Sequence, residues 1–181
     1  IDGAVESLHA IDTQKTQDLK GRIVLADDSE SNRDLLGRML RKAGHEVIEA
    51  VDGQEALDIV GKGQADVLLL DIVMPRLNGY ETLQRLKQDP LLRHLPVIVI
   101  SALDHMDSVI KCVELGADDY LPKPCHQTLL NARLKSCLQR KRFRDQERLY
   151  LKRIEKEQER SDQLLHAIFP ARIVHELKET Q

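Results

Sequence analysis

The chain has 181 residues, of which 41% are hydrophobic, 31% charged and 3% aromatic. This length can form one domain with a buried core together with an appendage. The formal net charge of −3 excludes a generally basic nucleic-acid-binding protein and an acidic disordered tail. No apolar run approaches the roughly 20 residues that cross a bilayer, and the three cysteines form no CxxC pair. We therefore expect a cytoplasmic piece of a longer protein that binds neither nucleic acid nor membrane, with its thiols reduced.

Short apolar runs alternate with amphipathic stretches along most of the chain. Residues 1–20 are polar, and we interpret them as a linker or a short helix. The predicted strands cover residues 22–26, 46–50, 66–71, 96–101 and 118–121. The predicted helices follow the N-cap Ser29, carry Ala56 to Val60, cover Glu81 to Lys87 and Asp104 to Leu115, and begin again near Gln127.

This alternation of strands and helices is typical of parallel βαβ units. Strands as apolar as these are usually buried on both faces, which a sheet with helices on both sides provides. Right-handed crossovers then favour a doubly wound α/β sheet of five parallel strands. In such sheets ligands bind at the carboxyl ends of the strands, so these ends are where we expect the functional residues.

Polar side chains follow four of the five predicted strands. They are Asp27 and Asp28 after the first strand, Asp71 after the third, Ser101 at the end of the fourth and Lys123 after the fifth. Each alone is more often a helix cap or a solvated charge, and only their coincidence indicates a site. Three clustered carboxylates repel one another unless a cation is bound, and Mg²⁺ is the simplest cation that prefers oxygen ligands. A carboxylate beside Mg²⁺ can attack a phosphoryl group, and we predict Asp71 as this nucleophile because it stands alone at a central strand end.

These residues together resemble the receiver domain of bacterial response regulators over roughly residues 21–139. The resemblance is carried by Asp27-Asp28, Asp71, Ser101-Ala102, Tyr120, Lys123-Pro124 and the loop from Met74-Pro75 to Gly79. It implies a flavodoxin-like fold with strand order 2-1-3-4-5, and phosphoryl transfer to Asp71 from a histidine kinase or a phosphotransfer protein. It also implies that Asp28, Asp71 and the backbone carbonyl of Val73 hold Mg²⁺, while Asp27 acts through a metal-bound water.

The resemblance further implies a switch pair formed by Ser101 and Tyr120. Phosphate would draw the Ser101 hydroxyl inward, the aromatic ring would follow, and Lys123 would pair with the new oxygens. The Lys123–Pro124 peptide bond would be cis. Two other classes share parts of this pattern: an autonomous phosphotransferase that uses Asp71 as a covalent intermediate, and an electron carrier that binds a flavin. The first would need a capping segment and the second more aromatic residues than two Phe and three Tyr.

The segment 140–168 differs in composition from the predicted domain. From 139 to 160, 14 of the 22 residues are charged and none is Gly or Pro, which predicts one long helix. A heptad seam contains Phe143, Glu147, Tyr150, Ile154, Glu157, Ser161, Leu164 and Ile168, and a competing register contains Leu151, Ile154, Leu165 and Ile168. We interpret the seam as a parallel coiled coil that makes a homodimer, with a solvated single helix as the alternative.

Residues 164–177 contain a leucine-rich turn, a proline and a second amphipathic turn. This pattern resembles the entry into class III nucleotide cyclase catalytic domains, and the entry into PP2C-type phosphatases is similar. We therefore interpret residues 169–181 as the start of a truncated C-terminal output domain, an adenylate or guanylate cyclase by preference. The fragment itself would be a receiver and a linker without enzymatic activity of its own.

Overall fold

The computed structural model describes residues 19–102 and 106–168, except for the side chains of 165–168. Its strands are β1 (Arg22–Ala26), β2 (Glu46–Ala50), β3 (Val67–Leu70), β4 (Val97–Ser101) and β5 (Asp119–Pro122). Its helices are α1 (Glu30–Lys42), α2 (Gly53–Gly61), α3 (Gly79–Gln88), α4 (Met106–Glu114) and α5 (Gln127–Ile168). The strands form one parallel sheet in the order β2-β1-β3-β4-β5, which confirms the predicted flavodoxin-like fold.

Several predicted element ends are wrong by one or two residues. β3 excludes Asp66 and Asp71, although their N–H groups still donate to neighbouring strand carbonyls at 2.7 and 2.9 Å, because pairing fades gradually at a strand end. β4 begins after Pro96, which has no N–H to donate. α3 begins at Gly79, before the predicted Glu81, because Asn78 and Glu81 form a capping box. Ser29 caps α1 as predicted, accepting a hydrogen bond from the Asn32 N–H.

Helices cover both faces of the sheet, and strand residues alternate between two buried clusters. On one face, α2, α3 and α4 contribute Ala56, Val60, Leu83, Leu86 and Cys112. On the other face, α1 and the first turns of α5 contribute Leu36, Leu40, Leu130, Leu134, Cys137 and Leu138. β3 and β4 are buried at every residue, as predicted for central strands, whereas the edge strand β2 is buried only at Ala50.

Asp66 connects the beginning of the sheet to α5. Its Oδ2 accepts a hydrogen bond from the Arg22 N–H at 2.8 Å, and its Oδ1 lies 3.3 Å from the Lys141 ammonium. Beside it, Gly21 packs so closely on α5 that a Cβ atom there would lie 2.6 Å from a methyl group of Leu138. The chain is therefore held against α5 where it enters β1.

The chain divides into two compact units between Lys141 and Arg142. The first contains the sheet and α5 as far as Lys141. In the second, residues 142–164 are exposed except for the half-buried Asp145. No helix in the described ranges has both the length and the apolar composition needed to cross a membrane. The predicted linker 1–20 lies outside the described residues except at 19 and 20, and the predicted output start at 169–181 lies wholly outside them.

Candidate functional site

The carboxyl ends of neighbouring strands bring three carboxylates together. Ala26, the last residue of β1, pairs in register with Leu70, the last residue of β3, so Asp27 and Asp71 follow at the same level of the sheet. Together with Asp28, each offers a carboxylate oxygen, and these oxygens all lie within 4.8 Å of one another. Asp27 and Asp71 are buried whereas Asp28 is exposed, so the cluster opens to solvent on the side of Asp28.

Lys123 lies between two of these carboxylates. Its ammonium donates to Asp27 Oδ2 and to Asp71 Oδ2, each at 2.7 Å. The backbone N–H of Lys123 donates to the Ser101 carbonyl at 2.9 Å, which places the start of the β5–α5 loop beside the end of β4. Three carboxylates and one ammonium leave a formal charge of about −2 at this edge when all are ionised.

The other oxygen of each buried carboxylate is held by its own loop. Asp27 Oδ1 accepts hydrogen bonds from the Ser29 N–H at 2.9 Å and from the Asn32 amide at 3.3 Å. Asp71 Oδ1 accepts from the Ile72 N–H at 2.7 Å. In both residues Oδ1 is therefore fixed by local bonds, and Oδ2 is directed towards Lys123.

Burial and charge shift two pKa values at the site. Burial raises the pKa of Asp71, and the charge of Asp27 adds to this, while the hydrogen bond and the charge of Lys123 oppose it. Burial alone would lower the pKa of Lys123, but its hydrogen bonds to Asp27 and Asp71 outweigh burial and raise it. Lys123 is thus charged at neutral pH, and the negative charge of Asp71 costs free energy that a bound cation would offset.

The donor set fits a hard divalent cation. All three groups are carboxylates, with no thiolate or imidazole among them, which is the ligand type that Mg²⁺ prefers. The formal charge of about −2 matches one divalent ion, and the exposed Asp28 leaves space for the water that Mg²⁺ usually retains.

Ser101, Tyr120 and Val73 are the remaining predicted site residues. Ser101 is fully buried at the end of β4. Tyr120 is half-buried in β5, where it packs against the hydrophobic core cluster beneath α2, α3 and α4. Val73 follows Asp71 in the β3–α3 loop, and its side chain is 61% exposed. The Lys123–Pro124 peptide bond is cis.

Sequence reasoning missed two residues of α1 that contact the site, Asn32 and Arg33. The Asn32 amide bonds Asp27, and the Arg33 guanidinium donates to the backbone carbonyls of Asp27 and Asp28. A signal was available, because the first turn of a helix that follows a parallel strand lies at the carboxyl edge of the sheet.

Sequence comparison relates the chain to one protein family. The family model described as "Response regulator receiver domain" matches residues 23–135, which is more than half of the chain. The chain is 40% identical over 118 residues to "Response regulator PleD" of Caulobacter vibrioides (strain NA1000 / CB15N), covering 65% of this chain and 26% of that protein. It is 41% identical over 127 residues to "Transcriptional regulatory protein CpxR" of Escherichia coli (strain K12), covering 70% of this chain and 53% of that protein.

Structural comparison agrees with this relationship. The receiver domain of Francisella response regulator 1452 superposes with a TM-score of 0.62 at 31% identity, covering 66% of this chain and 98% of that one. The chain spans only 26% and 53% of the length of the two curated relatives above. This chain belongs to the response regulator receiver domain family, whose members are signalling modules of two-component systems that accept a phosphoryl group from a histidine kinase or a phosphotransfer protein.

Proposed function

We propose that Asp71 is the phosphoryl acceptor of this receiver and that the chain acts in the cytoplasm. The observation that carries the assignment is the position of Asp71. It is the carboxylate that follows the central strand β3, it is 6% exposed, and its Oδ2 lies 2.7 Å from Lys123 beside two further carboxylates. Asp28 is exposed and Asp27 is held by two local donors, so both are better suited to a cation.

In the proposed reaction, a carboxylate oxygen of Asp71 attacks phosphorus in a phosphohistidine of the donor. The new O–P bond forms as the N–P bond to the histidine breaks, and Asp71 becomes an acyl phosphate. Lys123 loses one carboxylate partner as Asp71 is phosphorylated, and its ammonium is placed to pair with a phosphoryl oxygen. Asp28, Asp71 and the Val73 carbonyl would hold Mg²⁺, with Asp27 acting through a water, and the bound ion would supply positive charge opposite the phosphoryl oxygens.

We propose Ser101 and Tyr120 as the pair that reports this event. Ser101 is buried at the end of β4, the strand next to β3, and Tyr120 lies on the adjacent β5. A hydroxyl that moves towards the new phosphate leaves space for the half-buried ring of Tyr120. This is a local charge event that shifts a side chain between two positions.

We further propose that α5 relays the state to a C-terminal output domain through a homodimer. Support comes from the exposed apolar side chains of residues 142–164, which one copy of the described chain leaves in solvent. The two curated relatives are also much longer than their matched regions. A class III nucleotide cyclase is the output that we propose, from the pattern of residues 164–177.

Acid-labile phosphate labelling tests the acceptor. The chain is incubated with a small-molecule phosphodonor and Mg²⁺, and incorporation is followed by mass spectrometry. We expect Asp71→Asn to abolish labelling, because an amide oxygen is a poor nucleophile. Asp58→Asn is the matched control, since Asp58 is an exposed carboxylate on α2, and it should label as the unmodified chain does. Labelling of Asp71→Asn at the normal level would assign the acceptor elsewhere.

A further inference from the structure

Arg33 lies beneath the β1–α1 loop, on the first turns of α1. Its Nη1 donates to the Asp27 carbonyl at 2.8 Å and to the Asp28 carbonyl at 3.0 Å. The side chain is only 13% exposed. A guanidinium Nη carries two N–H groups, so one nitrogen can serve both carbonyls.

These two bonds require a particular backbone shape. In an extended strand, successive residues face opposite ways, so one nitrogen does not reach two consecutive carbonyls. The chain therefore turns at Asp27–Asp28, immediately after β1 ends at Ala26. This turn is what allows two adjacent carboxylates, one buried and one exposed, to join the same cluster with Asp71.

Glu49 of β2 balances the charge of Arg33. Its Oε2 lies 3.7 Å from Arg33 Nε, and its Oε1 lies 2.7 Å from Arg41 Nη2. Without such a partner, a guanidinium near the carboxylate cluster would repel a cation. The charge of Arg33 and its bonds to the loop therefore predict opposite effects. Loss of Arg33 strengthens cation binding if only its charge matters, and weakens cation binding if its hydrogen bonds hold the β1–α1 loop in place.

We propose that Arg33 is a positioning residue for the divalent-cation site, which it serves by holding the Asp27–Asp28 backbone in its turn. This inference rests on the proposed function, since it assumes that the cluster binds Mg²⁺. Arg33 does not contact the ion in this proposal. It acts through the two residues whose carbonyls it bonds.

Titration calorimetry of the whole chain with Mg²⁺ alone, without a phosphodonor, tests the proposal. We expect Arg33→Met to weaken Mg²⁺ binding roughly tenfold or more, as loss of residues that orient metal ligands does elsewhere. Arg41→Met is the matched control. It also removes one positive charge from α1 that pairs with Glu49, but the Arg41 side chain bonds Glu49 and not the β1–α1 loop. Arg33→Lys, which keeps the charge and a donor, should bind more tightly than Arg33→Met.

Each result has a definite meaning. Unchanged or tighter binding by Arg33→Met, or an equal loss in Arg41→Met, would overturn the positioning role while leaving the proposed function intact. No binding by the unmodified chain would overturn both. Should Arg33→Met not fold, as judged by circular dichroism, Arg33→Gln replaces it, because its shorter amide cannot span both carbonyls and the same loss is expected.

Discussion

The two parts of α5 share one helix but differ in what covers their apolar side chains. In the first part, Leu130, Leu134 and Leu138 are at most 2% exposed, because they pack beneath the sheet. In the second part, Tyr150 and Leu164 are 66% and 55% exposed. Helical spacing of apolar residues therefore shows which face of a helix is apolar, but not whether its own chain or another chain covers that face.

This contrast predicts that truncating a side chain in the first part has the largest effect on stability. Leu134→Ala should lower the free energy of unfolding by about 2–5 kcal/mol, because it removes buried contacts and leaves a cavity. Urea denaturation followed by circular dichroism measures the change.

The same truncation in the second part should behave differently. Ile154→Ala should change the free energy of unfolding by no more than about 0.5 kcal/mol at concentrations where the chain is monomeric. It should instead reduce self-association at higher concentration, measured by sedimentation equilibrium, because Ile154 lies in both proposed coiled-coil registers. Equal losses of stability in the two variants would remove the contrast, and unchanged self-association would count against the coiled coil.

A second test concerns the loop that carries Asp71. In Gly79→Ala the new Cβ would lie 2.2 Å from the Asp71 carbonyl oxygen and 2.7 Å from the Ile72 Cα, and backbone atoms cannot rotate away. We expect a loss of about 1–3 kcal/mol by thermal or urea unfolding, as for other overpacked positions.

Gly61→Ala is the control for this glycine, because a Cβ at the end of α2 meets nothing within 4 Å. Alanine there should leave stability unchanged or raise it by up to about 1 kcal/mol, since it restricts the unfolded chain. If both variants lose the same stability, close packing at Gly79 is not the cause.

A last test concerns the pH dependence of stability. The folded state raises the pKa of Asp71 through burial, so charging Asp71 destabilises the fold as the pH rises through that pKa. In the absence of divalent cations, Asp71→Asn should therefore be more stable than the unmodified chain at neutral pH. The difference should shrink as the pH falls below the ordinary pKa of a carboxyl group, and urea unfolding across this range measures it. An advantage that does not vary with pH would contradict this account.

The sequence was sufficient to predict the sheet and the carboxylate cluster, for one physical reason. Apolar runs mark buried parallel strands, and parallel strands place their carboxyl ends at one edge, so Asp27, Asp71 and Lys123 were expected at the same edge of the sheet. The strand order that makes β1 and β3 neighbours was implied only by the resemblance to receiver domains. Contacts that depend on loop conformation were not predictable in this way. Arg33 bonds two carbonyls only because the chain turns at Asp27–Asp28.

The ion pair of Arg76 with the fully buried Asp52 is a second contact that the sequence did not reveal. It joins the β3–α3 loop to the N-cap of α2. Arg76 has a φ of 62°, a conformation that few residues other than glycine adopt. The residue type at position 76 does not predict a positive φ, so the ion pair with Asp52 could not be inferred from residue types and spacing.

The double attachment of Asp66 has a practical consequence for cutting out this receiver. A recombinant fragment limited to the family match, 23–135, would lack Arg22, Leu138 and Lys141. It would therefore lose the contacts that hold the start of β1 against α5. A fragment of residues 19–141 retains all three. Grafts that exchange this receiver between proteins should accordingly be joined after Lys141.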